Sequence, residues 1–115
     1  MIPKPGRIVL TPMLTHKGKL YGDLTVACLN ENKFMLFGSG AAQEMHRRWF
    51  EKFLPENGVT YKNRSDDFHG IAISGPNSRN LLSKICREDV SNETLKFRDT
   101  KETFVGKSLR ATFSL

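Results

Sequence analysis

No stretch of this sequence approaches the ~18–20 consecutive apolar residues that a membrane-spanning helix needs. Hydrophobic residues fill 38% of its 115 positions, enough for one core but not two. The opening Met1-Ile2-Pro3-Lys4-Pro5 lacks the continuous apolar run of a secretory signal. A soluble, cytoplasmic protein of one domain is therefore expected. Cysteine is scarce. Cys28 and Cys86 stand far apart and form no C-x-x-C pair, so reduced thiols are expected in place of a zinc site or a disulfide. The three histidines, His16, His46 and His69, have neither H-x₃-H nor H-E-x-x-H spacing, and no metal is expected. The phosphate-cradling G-x-x-x-x-G-K-[ST] and G-x-G-x-x-G patterns and the nucleophile motif G-x-S-x-G are all missing. Acidic residues are outnumbered 12 to 18 by Lys and Arg, giving a formal charge of +6 that favours anionic partners without choosing among them.

What is present reads first as strand. Gly6 to Leu14, GRIVLTPML, is extended, with Pro12 suited to an edge or a bulge. The polar loop Thr15–Lys19 leads into Leu20–Leu29, LYGDLTVACL, and the pair predicts a hairpin. Asn30–Lys33 makes a second turn, and Phe34–Phe37 a third strand of a meander.

Gly38-Ser39-Gly40 breaks the pattern before a helix over Ala41–Leu54. At about 100° per residue, Ala41, Ala42, Met45, Trp49, Phe50 and Phe53 share one side, while Glu44, Arg47, Arg48 and Glu51 share the other. Glu44–Arg48 and Arg47–Glu51 are candidate (i, i+4) ion pairs. His46 falls inside the apolar arc and is expected to pack rather than to ligate. Pro55 and Gly58 end the helix.

Val59–Lys62 then reads as a short strand and His69–Ser74, HGIAIS, as a buried one. Pro76 is placed at the first position of a second helix, where its missing N–H costs nothing, and Leu81, Leu82 and Ile85 form that helix's apolar face. Glu88–Asn92 is a turn or short helix, and Phe104-Val105 and Leu109–Phe113 return to strand. Strands and helices without regular βαβ alternation predict an α+β fold, with a mixed, mainly antiparallel sheet and two main helices.

Asp23 is the residue that chemistry singles out. It lies in Tyr21-Gly22-Asp23-Leu24-Thr25-Val26, where a buried carboxylate is costly unless it is hydrogen-bonded or faces a polar cavity. Gly22 beside it allows close approach of a backbone or a ligand. The plain alternative is a strand-edge Asp in water. Gly38-Ser39-Gly40 is either an anion-holding set of backbone N–H groups or a permissive turn.

Several segments together resemble a family. GRIVLTPMLTHKGKLYGDLTV is similar to the two strands and Gly-containing loop of glycine-cleavage T-protein-like aminomethyltransferases, whose second strand carries a functional Asp. Phe34–Gly40, the helix with His46-Arg47-Arg48-Trp49, Gly70–Arg79, Leu81-Leu82, Asp89–Asn92 and Lys96-Phe97 continue the likeness in order. In detail it is nearest the C-terminal folate-binding part of dimethylglycine and sarcosine dehydrogenases. The resemblance implies transfer of a one-carbon unit from an amine-derived donor to tetrahydrofolate, giving 5,10-methylenetetrahydrofolate. It implies Asp23 as the catalytic carboxylate near the reacting folate nitrogens, with Tyr21, Gly38, Ser39 and Gly40 beside the cofactor.

Two departures accompany the likeness. Gly40 stands where the family usually has Asn, and Thr112-Phe113-Ser114-Leu115 falls about where the family's Gly-Glu-x-Gly segment would begin. A partial domain over 1–115, with weak or no turnover alone, is the resulting expectation. Its exposed sheet edges are expected to pair with a second copy or a partner chain. The alternative from another class is a small basic nucleic-acid-binding module using Arg47, Arg48, Lys52, Lys62 and Arg64 with Trp49 or Tyr61. It is disfavoured because Trp49 lies on the apolar helix face and no RNA-binding signature is present.

Overall fold

A computed structural model describes residues 2–113, with side chains described as far as residue 107. Met1, Ser114 and Leu115 lie outside the described residues. Three strands open the chain: β1 (Arg7–Leu14), β2 (Leu20–Asn30) and β3 (Lys33–Phe37). They form one antiparallel sheet in the order β1-β2-β3, the meander that the apolar runs predict. Gly18, at φ 71°, turns the first hairpin, and the Thr15 amide donates to the Lys19 carbonyl across it. In the second, Asn30 Oδ1 accepts from the Asn32 amide at 3.0 Å, a side chain standing in for a backbone turn.

A single-turn 3₁₀ segment, Gly40–Ala42, leads into α1 (Gln43–Phe53). The chain then runs without regular structure to α2 (Ser78–Ile85) and ends in the hairpin β4 (Thr100–Val105) and β5 (Ser108–Phe113). This is the expected α+β architecture with two helices and antiparallel sheets. No helix among the described residues is long and apolar enough to cross a membrane.

Gly6 and Arg7 clip the two sheets together. Gly6, at φ 79°, accepts the Thr100 amide on its carbonyl at 2.8 Å, and the Ile8 amide donates to the Arg98 carbonyl at 2.9 Å. The Arg7 guanidinium is paired with the Asp99 carboxylate. The core of the described residues is small: Ile8, Met13, Leu24, Ala27, Cys28, Val90 and Leu95, with His46, Thr100 and Thr103 as its polar members. Both cysteines are free; the Cys28 thiol is buried against the Asn30 carbonyl at 3.2 Å, and burial, helped by Glu88, pushes the Cys86 thiol pKa up.

Four details differ from the sequence reading. Val59–Lys62 is not a strand, although Tyr61 still packs on Phe50 with ring centroids 5.3 Å apart. His69–Ser74 is neither strand nor buried, and Ile71 is 84% exposed. β propensity needs a neighbouring edge to act on, and the described chain offers that segment none. Pro76 sits ahead of α2 in a turn closed by the Ser78 amide on the Gly75 carbonyl at 3.1 Å. Finally, Arg47 takes both helix-face carboxylates, Glu51 at 2.5 Å and Glu44 at 2.8 Å. Glu44 therefore pairs at (i, i+3) rather than with Arg48.

Candidate functional site

Asp23 lies in β2 directly opposite Pro12 of β1. Cross-strand partners share a face and side chains alternate along a strand, so the register defines the surroundings of its carboxylate. The next row on the same face, ~7 Å along, is Leu10, Thr25 and Phe37, since Thr25 is the partner of both Leu10 and Phe37. Leu10 is 62% exposed and Phe37 is 36% exposed. Asp23 is exposed too, and among the described residues its carboxylate has no hydrogen-bond or ion-pair partner. The result is an open apolar shelf with one carboxylate at its end. Of the two readings the sequence left open for Asp23, the structure shows the strand residue facing water, and exposure relieves the desolvation cost that a carboxylate in so apolar a strand would otherwise incur.

At the Asp23 end, the opposite face of β2 is covered by α1. Gly22 and Leu24 point that way, and the buried ring of His46 fills the space left by two glycines. A Cβ on Gly22 would stand 2.9 Å from His46 Nε2, and one on Gly38 would stand 3.0 Å from Nδ1 and 2.6 Å from Leu24 Cδ2. The close approach anticipated at Gly22 is therefore that of a side chain from α1. His46 packs as the apolar arc requires, and it also ties together the two segments that carry the candidate residues. Its sequence signal was its place on the helix, which told of burial but not of the glycine partners.

Tyr21 is reached differently. Met13 pairs with Gly22 but Leu14 pairs with Leu20, so Tyr21 is the extra residue of a β-bulge. A bulge re-aims its side chain, and Tyr21 stacks on Trp49 at 4.6 Å, with Phe53 4.5 Å beyond. Its ring thus belongs to the α1 face and not to the Asp23 shelf. Ser39 and Gly40 are exposed. The β2–β3 ladder stops at Thr25 and Phe37, and counting onward sets Gly38 beside Leu24 and Ser39 level with Asp23. Ser39 caps nothing with its side chain; its carbonyl receives the Ala42 amide at 3.0 Å, which makes this glycine segment a turn. The structure therefore brings Asp23, Gly22, Gly38 and Ser39 to one end of the sheet and leaves Tyr21 and Gly40 to its sides.

Two clefts are present elsewhere, one beside Thr100 and one beside Arg98, and neither includes Asp23. Among the described residues no three His, Cys, Asp or Glu side chains gather as a metal site would need. The basic residues considered for nucleic acid are partly committed. Arg47 is held by Glu44 and Glu51, Arg64 is bound to Asp67 at 2.6 Å, and Lys52 lies over the Phe53 ring. Trp49 is occupied by its two aromatic neighbours.

The family described as the GCVT N-terminal domain matches residues 2–113, nearly the whole chain. The chain belongs to that family. It is 36% identical over 104 residues to the mitochondrial dimethylglycine dehydrogenase of Homo sapiens, covering 88% of this chain and 12% of the relative. To the aminomethyltransferase of Natranaerobius thermophilus it is 34% identical over 99 residues, covering 86% of this chain and 26% of the relative. The aminomethyltransferase of Thermosipho melanesiensis is 36% identical over 87 residues, covering 76% and 24% respectively. The chain thus spans between about an eighth and a quarter of the length of these relatives.

Proposed function

We propose that residues 1–115 form one partial aminomethyltransferase-type folate-binding domain, in which Asp23 faces the pterin end of tetrahydrofolate. The parent reaction is transfer of a one-carbon unit from an amine-derived donor, and turnover by this chain alone is weak or absent. The observation that supports the reading most is the shelf itself, in a chain that belongs to the GCVT N-terminal domain family. An unpartnered carboxylate stands at the end of a row in which Leu10 and Phe37 are exposed and Thr25 between them is half-buried.

That donor set suits a flat heterocycle with N–H groups on one edge. Leu10 and Phe37 offer an apolar plane that sheds water beneath a ring. Asp23 offers an acceptor for ring N–H groups and a negative charge beside nitrogens that become positive during transfer. Tetrahydrofolate, when bound, supplies the nitrogens that accept the one-carbon unit. Placement on β2, backed by the His46–glycine packing, fixes the backbone from which the carboxylate projects, and positioning is what such a role demands. Gly38 and Ser39 border the same end of the sheet. The positive net charge suits a polyanionic folate tail. A cytoplasmic setting remains part of this reading, although the human relative is described as mitochondrial.

The shelf is one wall, and further walls come from a partner chain or a second copy that covers the exposed edges. The test is titration with tetrahydrofolate. Micromolar binding that disappears in Asp23→Ala is expected, and equal binding by wild type and variant refutes the assignment.

A further inference from the structure

Asparagines are spread along the whole chain, and Asn57 alone is followed by glycine. Asn57-Gly58 lies in the irregular stretch after α1, where residues 55–60 are exposed throughout. Three observations set this pair apart. First, among the described residues neither the Asn57 side chain nor the Gly58 amide has a hydrogen-bond partner. Second, Gly58 sits at φ 85°, and a Cβ added there would meet nothing within 4 Å. Lacking that Cβ, the glycine leaves its own nitrogen unobstructed. Third, the fold restrains other asparagines that stand in loops. Asn30 Oδ1 accepts from the Asn32 amide at 3.0 Å, and Asn63 Oδ1 from the Ser65 amide at 2.9 Å. The Ser78 amide, next after Asn77, is given to the Gly75 carbonyl at 3.1 Å at the start of α2.

We propose that Asn57 is a site of spontaneous deamidation, becoming aspartate and isoaspartate through a succinimide closed by the Gly58 nitrogen. That nitrogen gives up its proton and bonds to Cγ of the Asn57 side chain. The bond from Cγ to Nδ2 breaks, and ammonia leaves with the proton. Water then opens the imide ring. Attack at Cγ gives aspartate, whereas attack at the main-chain carbonyl carbon gives isoaspartate, whose backbone runs through the former side chain. Nothing is oxidised or reduced, and water is the sole co-reactant. Either product adds a negative charge beside Glu56 in a chain of positive net charge. Residues 55–60 belong to no helix or strand, so the longer isoaspartate backbone interrupts no hydrogen-bond ladder.

The test follows the full chain by peptide mass mapping in mildly alkaline buffer, beside a sample unfolded in guanidinium chloride. Isoaspartate is counted by the methyl groups that a protein-isoaspartate methyltransferase attaches to it. In the folded chain a gain of about 1 Da is expected first in the peptide holding Asn57, faster as pH rises and accompanied by methyl label. Folded and unfolded rates at Asn57 should agree within about twofold, because the fold does not restrain it, whereas Asn77 should convert faster once unfolded. Asn57→Gln should keep the wild-type thermal midpoint and lose both the mass gain and the label in that peptide. A folded-state rate at Asn57 far below the unfolded one overturns the proposal, as does label that persists there in Asn57→Gln.

Discussion

Asp23 and the two glycines around His46 make opposite demands of substitution. Asp23 is exposed and unpartnered, so Asp23→Ala should change stability by no more than about 0.5 kcal/mol in denaturant melts while abolishing folate binding. Gly38→Ala forces a methyl to 2.6 Å from Leu24 Cδ2 and 3.0 Å from the His46 ring, and should cost about 1–3 kcal/mol in the same melts. Gly22→Ala crowds the ring at 2.9 Å and meets Met45 Cε at an ordinary 3.6 Å, and should cost less. If Gly38→Ala leaves the melt unchanged, the packing described for His46 is wrong. The sequence showed Asp23 as an anomaly within an apolar strand and His46 as part of an apolar arc. It did not show that Asp23 looks outward from the helix while His46 backs it from behind. That relation depends on the register of β2 with β1 and β3, which pairs residues from three separate segments.

Among the elements, the junction between the sheets is the one that acid should weaken. Asp99 accepts from the Lys96 amide at 2.8 Å and pairs with Arg7, and these hold its carboxyl below the ordinary Asp value despite an opposing desolvation contribution. A carboxyl with a depressed folded pKa stabilises the fold above its unfolded pKa, about 3.9, and that contribution is lost as pH falls through the folded value. Asp89, held low by the backbone and hydroxyl of Ser91, and Glu44, held low by Arg47, act in the same direction. Thermal midpoints should therefore fall as the solution is acidified below about pH 4, and Asp99→Asn should flatten that fall. A profile unchanged by Asp99→Asn would remove the clip from the explanation. The meander and α1 were legible because each carries its own turn residues and its own period. His69–Ser74 misled because its small and β-branched residues describe a strand, whereas a strand exists only when an edge lies beside it. Pro76 misled by two residues, since a β-turn closed by Ser78 accepts it as readily as a helix start does.

The whole molecule is unevenly covered. Seven apolar residues are buried among those described, while Ile71, Leu20, Leu10, Phe97 and Phe53 are each more than half exposed. Apolar surface of this extent favours association. Light scattering at micromolar concentration should show self-association that Ile71→Lys reduces, and a stable monomer would contradict that expectation. The most direct measurement remains calorimetric titration of the full chain with tetrahydrofolate, wild type beside Asp23→Ala. Heat that saturates at micromolar ligand in the wild type and vanishes in the variant is the expected outcome. Identical isotherms, or no heat from either protein, would contradict a pterin-facing role for this carboxylate.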